Sequence, residues 1–238
     1  MNLTGILSVA AISLLSLYNF QARADYTAQL FEQNSSRQKK LFDLKSTDDG
    51  KTGDLELFTT TYTDVSGQPA LTEKIQLRGT KIHKIQISQH QTKEEATVEV
   101  KDGQVLFSVT ANGKTKTGSE KLKEPLVMSG NFVRFVHSEW AKLMEKGSLE
   151  FRYAVWYRLD TVGFKLIKEA EEGEGANKRV RLKMKPTSFI IAALVDPVIF
   201  YFSADGSKIM ELNGRVAPKI KVGSDFKDLD AEAVYSHP

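Results

Sequence analysis

Four histidines, no cysteine and a scatter of carboxylates are what this chain offers to chemistry. His83 and His90 lie seven residues apart in a stretch of strand-like alternation, which puts them on opposite faces of a regular strand. His137 borders the apolar stripe of a helix, and His237 is next to the last residue. None has a second ligand at the i+2, i+3 or i+4 spacing of a metal site, so no metal and no cofactor are expected. Without cysteine there is no thiol nucleophile, and the G-x-S-x-G elbow of serine hydrolases is missing. The loop Glu172-Gly173-Glu174-Gly175 alternates glycine with acids that would repel a phosphate. Carboxylate pairs that act from distant positions leave no local signature. A hydrolase with dispersed acids is therefore a third reading, behind two non-enzymatic ones.

Two further sets of charges stand out. Arg179, Arg181, Lys183 and Lys185 alternate with Val180, Leu182 and Met184. On a strand this makes a row of four cations, roughly 7 Å apart. Such a row either solvates one face and discourages edge pairing, or meets an anion such as a lipid headgroup. Glu139 falls at the margin of a helical apolar stripe, where a carboxylate needs a cation or donors. Arg152 and Arg158 on the next strand are the expected partners, giving a structural ion pair; a catalytic acid is the alternative.

The elements that must position these groups follow from periodicity. Phe132, Val133, Val136, Trp140, Leu143 and Met144 recur at helical spacing, with Ser129 before them as a candidate N-cap and Gly147 after them as a C-cap. One amphipathic helix is expected over 131–146. From 148 to 158 the period becomes two, with Leu149, Phe151, Tyr153, Val155 and Tyr157 on one face. A second strand is expected over 162–168, then a polar loop over 169–178. Beyond the basic row, Pro186 and Pro197 fence an apolar run, Phe189 to Val195, read as a short helix. Val198 to Phe202 reads as a continuously apolar strand, buried on both sides or facing a ligand, and Asp205-Gly206 turns it back into 209–216.

The N-terminal half reads as a β meander from Tyr26 to Lys121. Leu55, Leu57, Thr59 and Thr61 alternate with Glu56, Phe58, Thr60 and Tyr62. Ile75 and Leu77 mark the next strand, Ile85 and Ile87 another. Asp102-Gly103 and Asn112-Gly113 are tight hairpin signals, which dictate antiparallel neighbours. Upstream, Ile6 to Leu17 is an apolar core of signal-peptide length, with Ala22-Arg23-Ala24 at the cleavage positions. The expected organisation is a signal peptide over 1–24, one β-rich domain over 25–220 and a loose polar tail over 221–238. Hydrophobic residues make up 41% of the chain and its net charge is +3, too near neutrality for a general nucleic-acid binder. An exported chain without disulfides must be held by its core alone.

The stretch 132–220, with Trp140, Leu159-Asp160-Thr161-Val162-Gly163-Phe164, Met184-Lys185-Pro186-Thr187-Ser188 and Val195-Asp196-Pro197, resembles an uncharacterised family of exported bacterial proteins, a domain of unknown function. The resemblance covers under half of the chain and implies a periplasmic place, with no assigned activity. More distantly, the element pattern resembles the periplasmic lipoprotein-carrier fold, a half-barrel of antiparallel strands with a helical lid over an apolar cavity. The fold class expected is mainly β with minor α: a curved antiparallel sheet covered by the amphipathic helix and the short apolar helix.

That architecture implies a carrier or sensor of an apolar ligand, a lipid or an acyl chain. Its expected lining is Phe132, Val136 and Trp140 from the helix, Phe189, Ile190 and Leu194 from the apolar run, and Phe200 and Phe202 from the strand after it. The headgroup would meet Arg179, Arg181, Lys183 and Lys185. The alternative is an envelope scaffold with a filled core, contacting another protein through a sheet edge. No segment after the signal is a membrane span, since a span needs about 20 apolar residues.

Overall fold

The computed structural model describes residues 24–238. The expected signal segment lies outside them, apart from Ala24. Hairpin follows hairpin through β1 (Ala24–Glu32), β2 (Lys40–Thr52), β3 (Leu55–Asp64), β4 (Pro69–Arg78), β5 (Lys81–Gln89), β6 (Glu94–Lys101), β7 (Gln104–Ala111) and β8 (Lys114–Lys121). Asp102-Gly103 and Asn112-Gly113 both take positive φ at each central residue, the left-handed pair whose twist matches the flanking strands. The expected antiparallel meander is thus present, with β1, β2 and β8 added to the strands named from sequence.

The second half opens with the two-residue β9 (Leu126–Val127), α1 (Ser129–Ser138) and α2 (Trp140–Lys146). Then come β10 (Ser148–Val155), β11 (Asp160–Glu172), β12 (Arg179–Pro186), α3 (Phe189–Ala192), β13 (Val198–Ser203), β14 (Ile209–Val222) and β15 (Asp225–Ser236). Among the described residues all the strands share one 15-stranded sheet, β8 through β1 in reverse order, then β15 down to β9. Every pairing is antiparallel except β9 with β10. The sheet curls without closing, and α1 and α2 lie inside the curve. Among the described residues no helix is long and apolar enough to cross a membrane.

Several expectations are corrected. The residues 225–236 are a strand, not a loose tail: β15 pairs with both β1 and β14 and joins the two halves of the sheet. Its inward face carries Leu229, Ala231, Ala233 and Tyr235, and the two alanines hide the alternation in a hydropathy reading. The expected single helix is two, broken at Glu139. Its first cap is built by Asn131, whose Oδ1 accepts from the Met128 N–H at 2.7 Å, rather than by Ser129. Glu139, at the N-cap of α2, pairs with Lys142 of that helix at 2.8 Å, while Arg152 bonds Thr161 instead. The strand from 148 ends at Val155; Trp156–Arg158 is a 3-10 turn, which leaves Tyr157 mostly exposed. The expected loop at 169–178 is strand as far as Glu172, because Glu169 pairs across to Arg181 and Lys183. β13 is not apolar on two buried faces: Val198, Phe200 and Phe202 are buried while Ile199 and Tyr201 are half-exposed.

Two hydrophobic cores result. One lies against β1–β8 and β15, with Leu71, Leu77, Ile85 and Val98 fully inside. The other lies between the helices and β10–β14, with Phe132, Phe135, Val136, Leu143 and Phe202. Gly130 lets α1 approach β4 closely, since a Cβ there would stand 2.8 Å from the Ile75 side chain. Arg134 completes the seat, its guanidinium 4.2 Å from the centre of the Phe58 ring and 3.3 Å from Glu56. α3 does not join either core.

Candidate ligand cavity

Between the two cores the rolled sheet leaves a cavity of about 300 Å³. One wall is Tyr26, Leu30, Leu44, Thr60, Tyr62 and Glu73, from β1 to β4. Met128 and Phe132 form the roof, and Tyr153, Phe164, Met184 and Phe200 the wall opposite.

Strand register explains why a polar group sits in this space. Tyr26 pairs with Ser46, Ser46 with Thr60, and Thr60 with Glu73. Residues directly paired across antiparallel strands share a face. These four therefore make one polar line across the inner surface of β1, β2, β3 and β4. A second line lies two residues further along: Tyr235, Ala28, Leu44, Tyr62, Leu71 and Gln89. Tyr153 reaches the same space from β10.

Glu73 is 3% exposed. Its Oε1 accepts from the Ser129 hydroxyl at 2.6 Å. Burial pushes its carboxyl above the usual value, and the Ser129 bond only partly offsets this. Burial likewise raises the phenols. Tyr26 is pushed up to about 12, with the Ser46 and Thr60 hydroxyls opposing the shift. Tyr62, Tyr153 and Tyr235 are also raised by burial, the first two further by Glu73. The phenols stay neutral at any ordinary pH, so they offer donors, acceptors and ring faces but no charge. Gln89 is 1% exposed; its Nε2 donates to the Ala217 carbonyl at 3.4 Å, while its Oε1 has no hydrogen-bond partner among the described residues.

At the rim the charges are paired. Arg215 meets Asp228 at 2.6 Å and Asp230 at 2.8 Å, and Lys219 meets Asp228 at 3.2 Å. The extra residues of β14 at a bulge between Val216 and Lys219 help to close this end. Gln91 ties the bulge to β5's end: its Oε1 accepts from the Lys219 N–H at 2.7 Å and its Nε2 donates to the Lys219 carbonyl at 2.8 Å.

Of the lining expected from sequence, Phe132 and Phe200 face the cavity. Val136, Trp140 and Phe202 are buried in the second core, away from the cavity. Phe189, Ile190 and Leu194 are a correction: they are 88%, 74% and 79% exposed. With helical residues only at Phe189–Ala192 between two prolines, α3 is too short to reach back over the sheet; only Val195 and Asp196, just beyond it, touch the cavity. The basic row faces outward. Arg179 lies between Glu172 and Glu211 at 3.0 and 3.1 Å, and Arg181 and Lys183 share Glu169. Lys185 is exposed. Three of the four cations are thus matched by strand neighbours.

Glu73, the four tyrosines and Gln89 were missed by reasoning from sequence. One signal was there for Glu73: continuing the alternation of Ile75 and Leu77 back by one step puts a carboxylate on their apolar face. The histidines do not gather. His90 Nε2 lies 3.1 Å from Thr72, and His237 Nε2 lies 2.6 Å from the Ile209 carbonyl. Among the described residues, no group of three or more His, Asp or Glu is placed to hold a metal.

No family model matches this chain, and no curated protein does. The chain is similar in structure to a beta-barrel-like protein of a domain of unknown function, DUF1849, from Brucella abortus. The identity is 8% and the TM-score 0.46, over 89% of this chain and 93% of that one.

Proposed function

We propose that this protein binds a compact ligand, apolar over most of its surface and polar at one end, in the cavity beneath α1. The observation that carries this is the cavity itself: about 300 Å³, walled by apolar side chains, with its buried polar groups gathered on two adjacent lines of the sheet. Ligand sites begin at about this size, and a few converging polar groups in an apolar wall are their usual composition. Each methylene buried there would contribute about 0.8 kcal/mol. The volume suits a ring or the end of an acyl chain better than a whole lipid. We also propose an exported setting, on the apolar run Ile6 to Leu17 and the small residues at 22 and 24.

The test is native mass spectrometry of the protein purified without detergent, followed by organic extraction and titration with a panel of small apolar compounds. Binding should be lost in Ala233→Phe, which places a ring in the cavity, with circular dichroism unchanged. A protein that takes up no compound, or a filled variant that binds as well as the parent, overturns the proposal. Sequencing the N-terminus of the exported protein checks the setting; an intact Met1 would reject cleavage.

A further inference from the structure

Deepening the cavity reading, on which it rests, we propose that the ligand's polar end is a protonated amine, held between Glu73 and Gln89 Oε1 and flanked by tyrosine rings. Three independent features of the cavity ask for the same chemistry. Gln89 Oε1 is an acceptor out of water with no donor among the described residues. Its amide is oriented by the bond from Nε2 to the Ala217 carbonyl, which leaves the oxygen free. Leaving such an acceptor unmatched costs about 1–3 kcal/mol, so a donor is needed from outside the chain.

Glu73 is the second feature. It pairs with Ile87 across β4 and β5, and Gln89 is two residues along from Ile87. The two side chains are diagonal neighbours, roughly 7 Å apart at their β-carbons. A single ammonium with two or three N–H donors can span that gap. The only hydrogen bond to the Glu73 carboxyl among the described residues comes from Ser129. The other titratable groups that line the cavity are the phenols of Tyr26, Tyr62, Tyr153, Tyr157 and Tyr235, the carboxylates of Asp196, Asp228 and Asp230, and the cations of Arg215 and Lys219. The cations that line the cavity, Arg215 and Lys219, are held at the rim by Asp228 and Asp230. Among the described residues Glu73 thus has no cationic partner.

The phenols are the third feature. Tyr26 and Tyr235 stand with ring centres 5.8 Å apart and tilted at 54°. Tyrosine faces attract an ammonium within about 6 Å, and more strongly where water is excluded. An anionic headgroup would find the opposite: a carboxyl and the negative faces of rings.

Burial favours the protonated form of Glu73 while the site is empty. An incoming ammonium keeps its own protons and Glu73 releases its proton to solvent, leaving carboxylate and ammonium paired. Binding is thus accompanied by the release of up to one proton, and it weakens as pH falls.

The experiment uses three probes of one size: benzylamine, benzyl alcohol and benzoate. A dry apolar cavity of about 150 Å³ already holds benzene, so all three fit. Titration calorimetry at a series of pH values from about 5 to about 8, in two buffers of different ionisation enthalpy, gives affinity and proton release together. The amine should bind at least tenfold more tightly than the alcohol, with proton release, and benzoate most weakly. Glu73→Gln should bring the amine down to the affinity of the alcohol and remove the proton release, with circular dichroism unchanged. If alcohol or benzoate binds as well as the amine, or if Glu73→Gln keeps the preference, the amine assignment falls and the cavity reading stands. If none of the three binds, both fall.

Discussion

The Ser129 hydroxyl stands 2.6 Å from Oε1 of Glu73, across 56 residues of chain. The bond joins the first turn of α1 to the inner face of β4, and it exists because Asn131 has taken the capping role. It is also a weak answer to the burial of a carboxyl. One neutral donor cannot replace the water a charged carboxylate would lose. Glu73 therefore keeps its proton to a higher pH than a free glutamate does.

Stability should fall as pH rises because of this one group. The folded protein holds a proton that the unfolded chain gives up once pH passes the ordinary value of 4.5, so the slope of unfolding free energy against pH is negative there. Below 4.5 both states are protonated and the contribution is level. Glu73→Gln removes the term. Its melting temperature relative to the parent should climb from pH 4.5 upward, until the parent's Glu73 itself ionises. A difference that stays flat across that range would mean Glu73 is charged when folded.

Trp140 and Gly206 form a lock between α2 and the β13–β14 turn. The indole Nε1 donates to the Ala204 carbonyl at 3.2 Å, and the ring lies directly against Gly206 Cα. Gly206 has φ of +71°, and a Cβ there would overlap the indole. Gly206→Ala should cost about 1–3 kcal/mol from overpacking alone. Trp140→Ala should cost about 3–5 kcal/mol. The double variant should cost less than the sum, since the added methyl fills space that the missing ring leaves. Urea unfolding of the three variants measures the shortfall; strict additivity would separate the two residues.

How much of this was legible in the sequence differs by element. The hairpins at Asp102-Gly103 and Asn112-Gly113 were legible because a left-handed dipeptide is a local requirement. The face of β12 was legible because Val180, Leu182 and Met184 alternate with cations. The cavity was not, because it is assembled by register: Tyr26, Ser46, Thr60 and Glu73 become neighbours only when four strands align. Local hydropathy could not tell that Phe189, Ile190 and Leu194 lie outside while Phe132 lies inside, since all are apolar and only tertiary packing separates them. Phe132 and Phe200 line the cavity, whereas Phe189, Ile190 and Leu194 stand on the outside of the sheet's cover.

That exposure of α3 can be checked directly. Phe189→Asp with Leu194→Asp changes two side chains that are 88% and 79% exposed. Exposed substitutions usually stay within about 0.5 kcal/mol each. The double variant should unfold at the parent's denaturant midpoint to within about 1 kcal/mol. A loss of several kcal/mol would put these residues back in a core.

Deleting 225–238 distinguishes a tail from a keystone. A loose tail can be removed without effect. β15 instead lies between β1 and β14, in register with Thr27–Glu32 on one side and Glu211–Val222 on the other. Its removal would strip both strands of their ladder partners and open the first core at Leu229, Ala231 and Ala233. It would also remove Tyr235 from the cavity. Two new sheet edges would then face solvent, the arrangement that invites aggregation. The truncated chain should lack a cooperative thermal transition, or be recovered only as aggregate. Deleting His237 and Pro238 alone should cost about 1 kcal/mol, for one hydrogen bond to the Ile209 carbonyl. Equal melting temperatures for the parent and the longer deletion would contradict the strand order, and with it the polar lines that define the cavity.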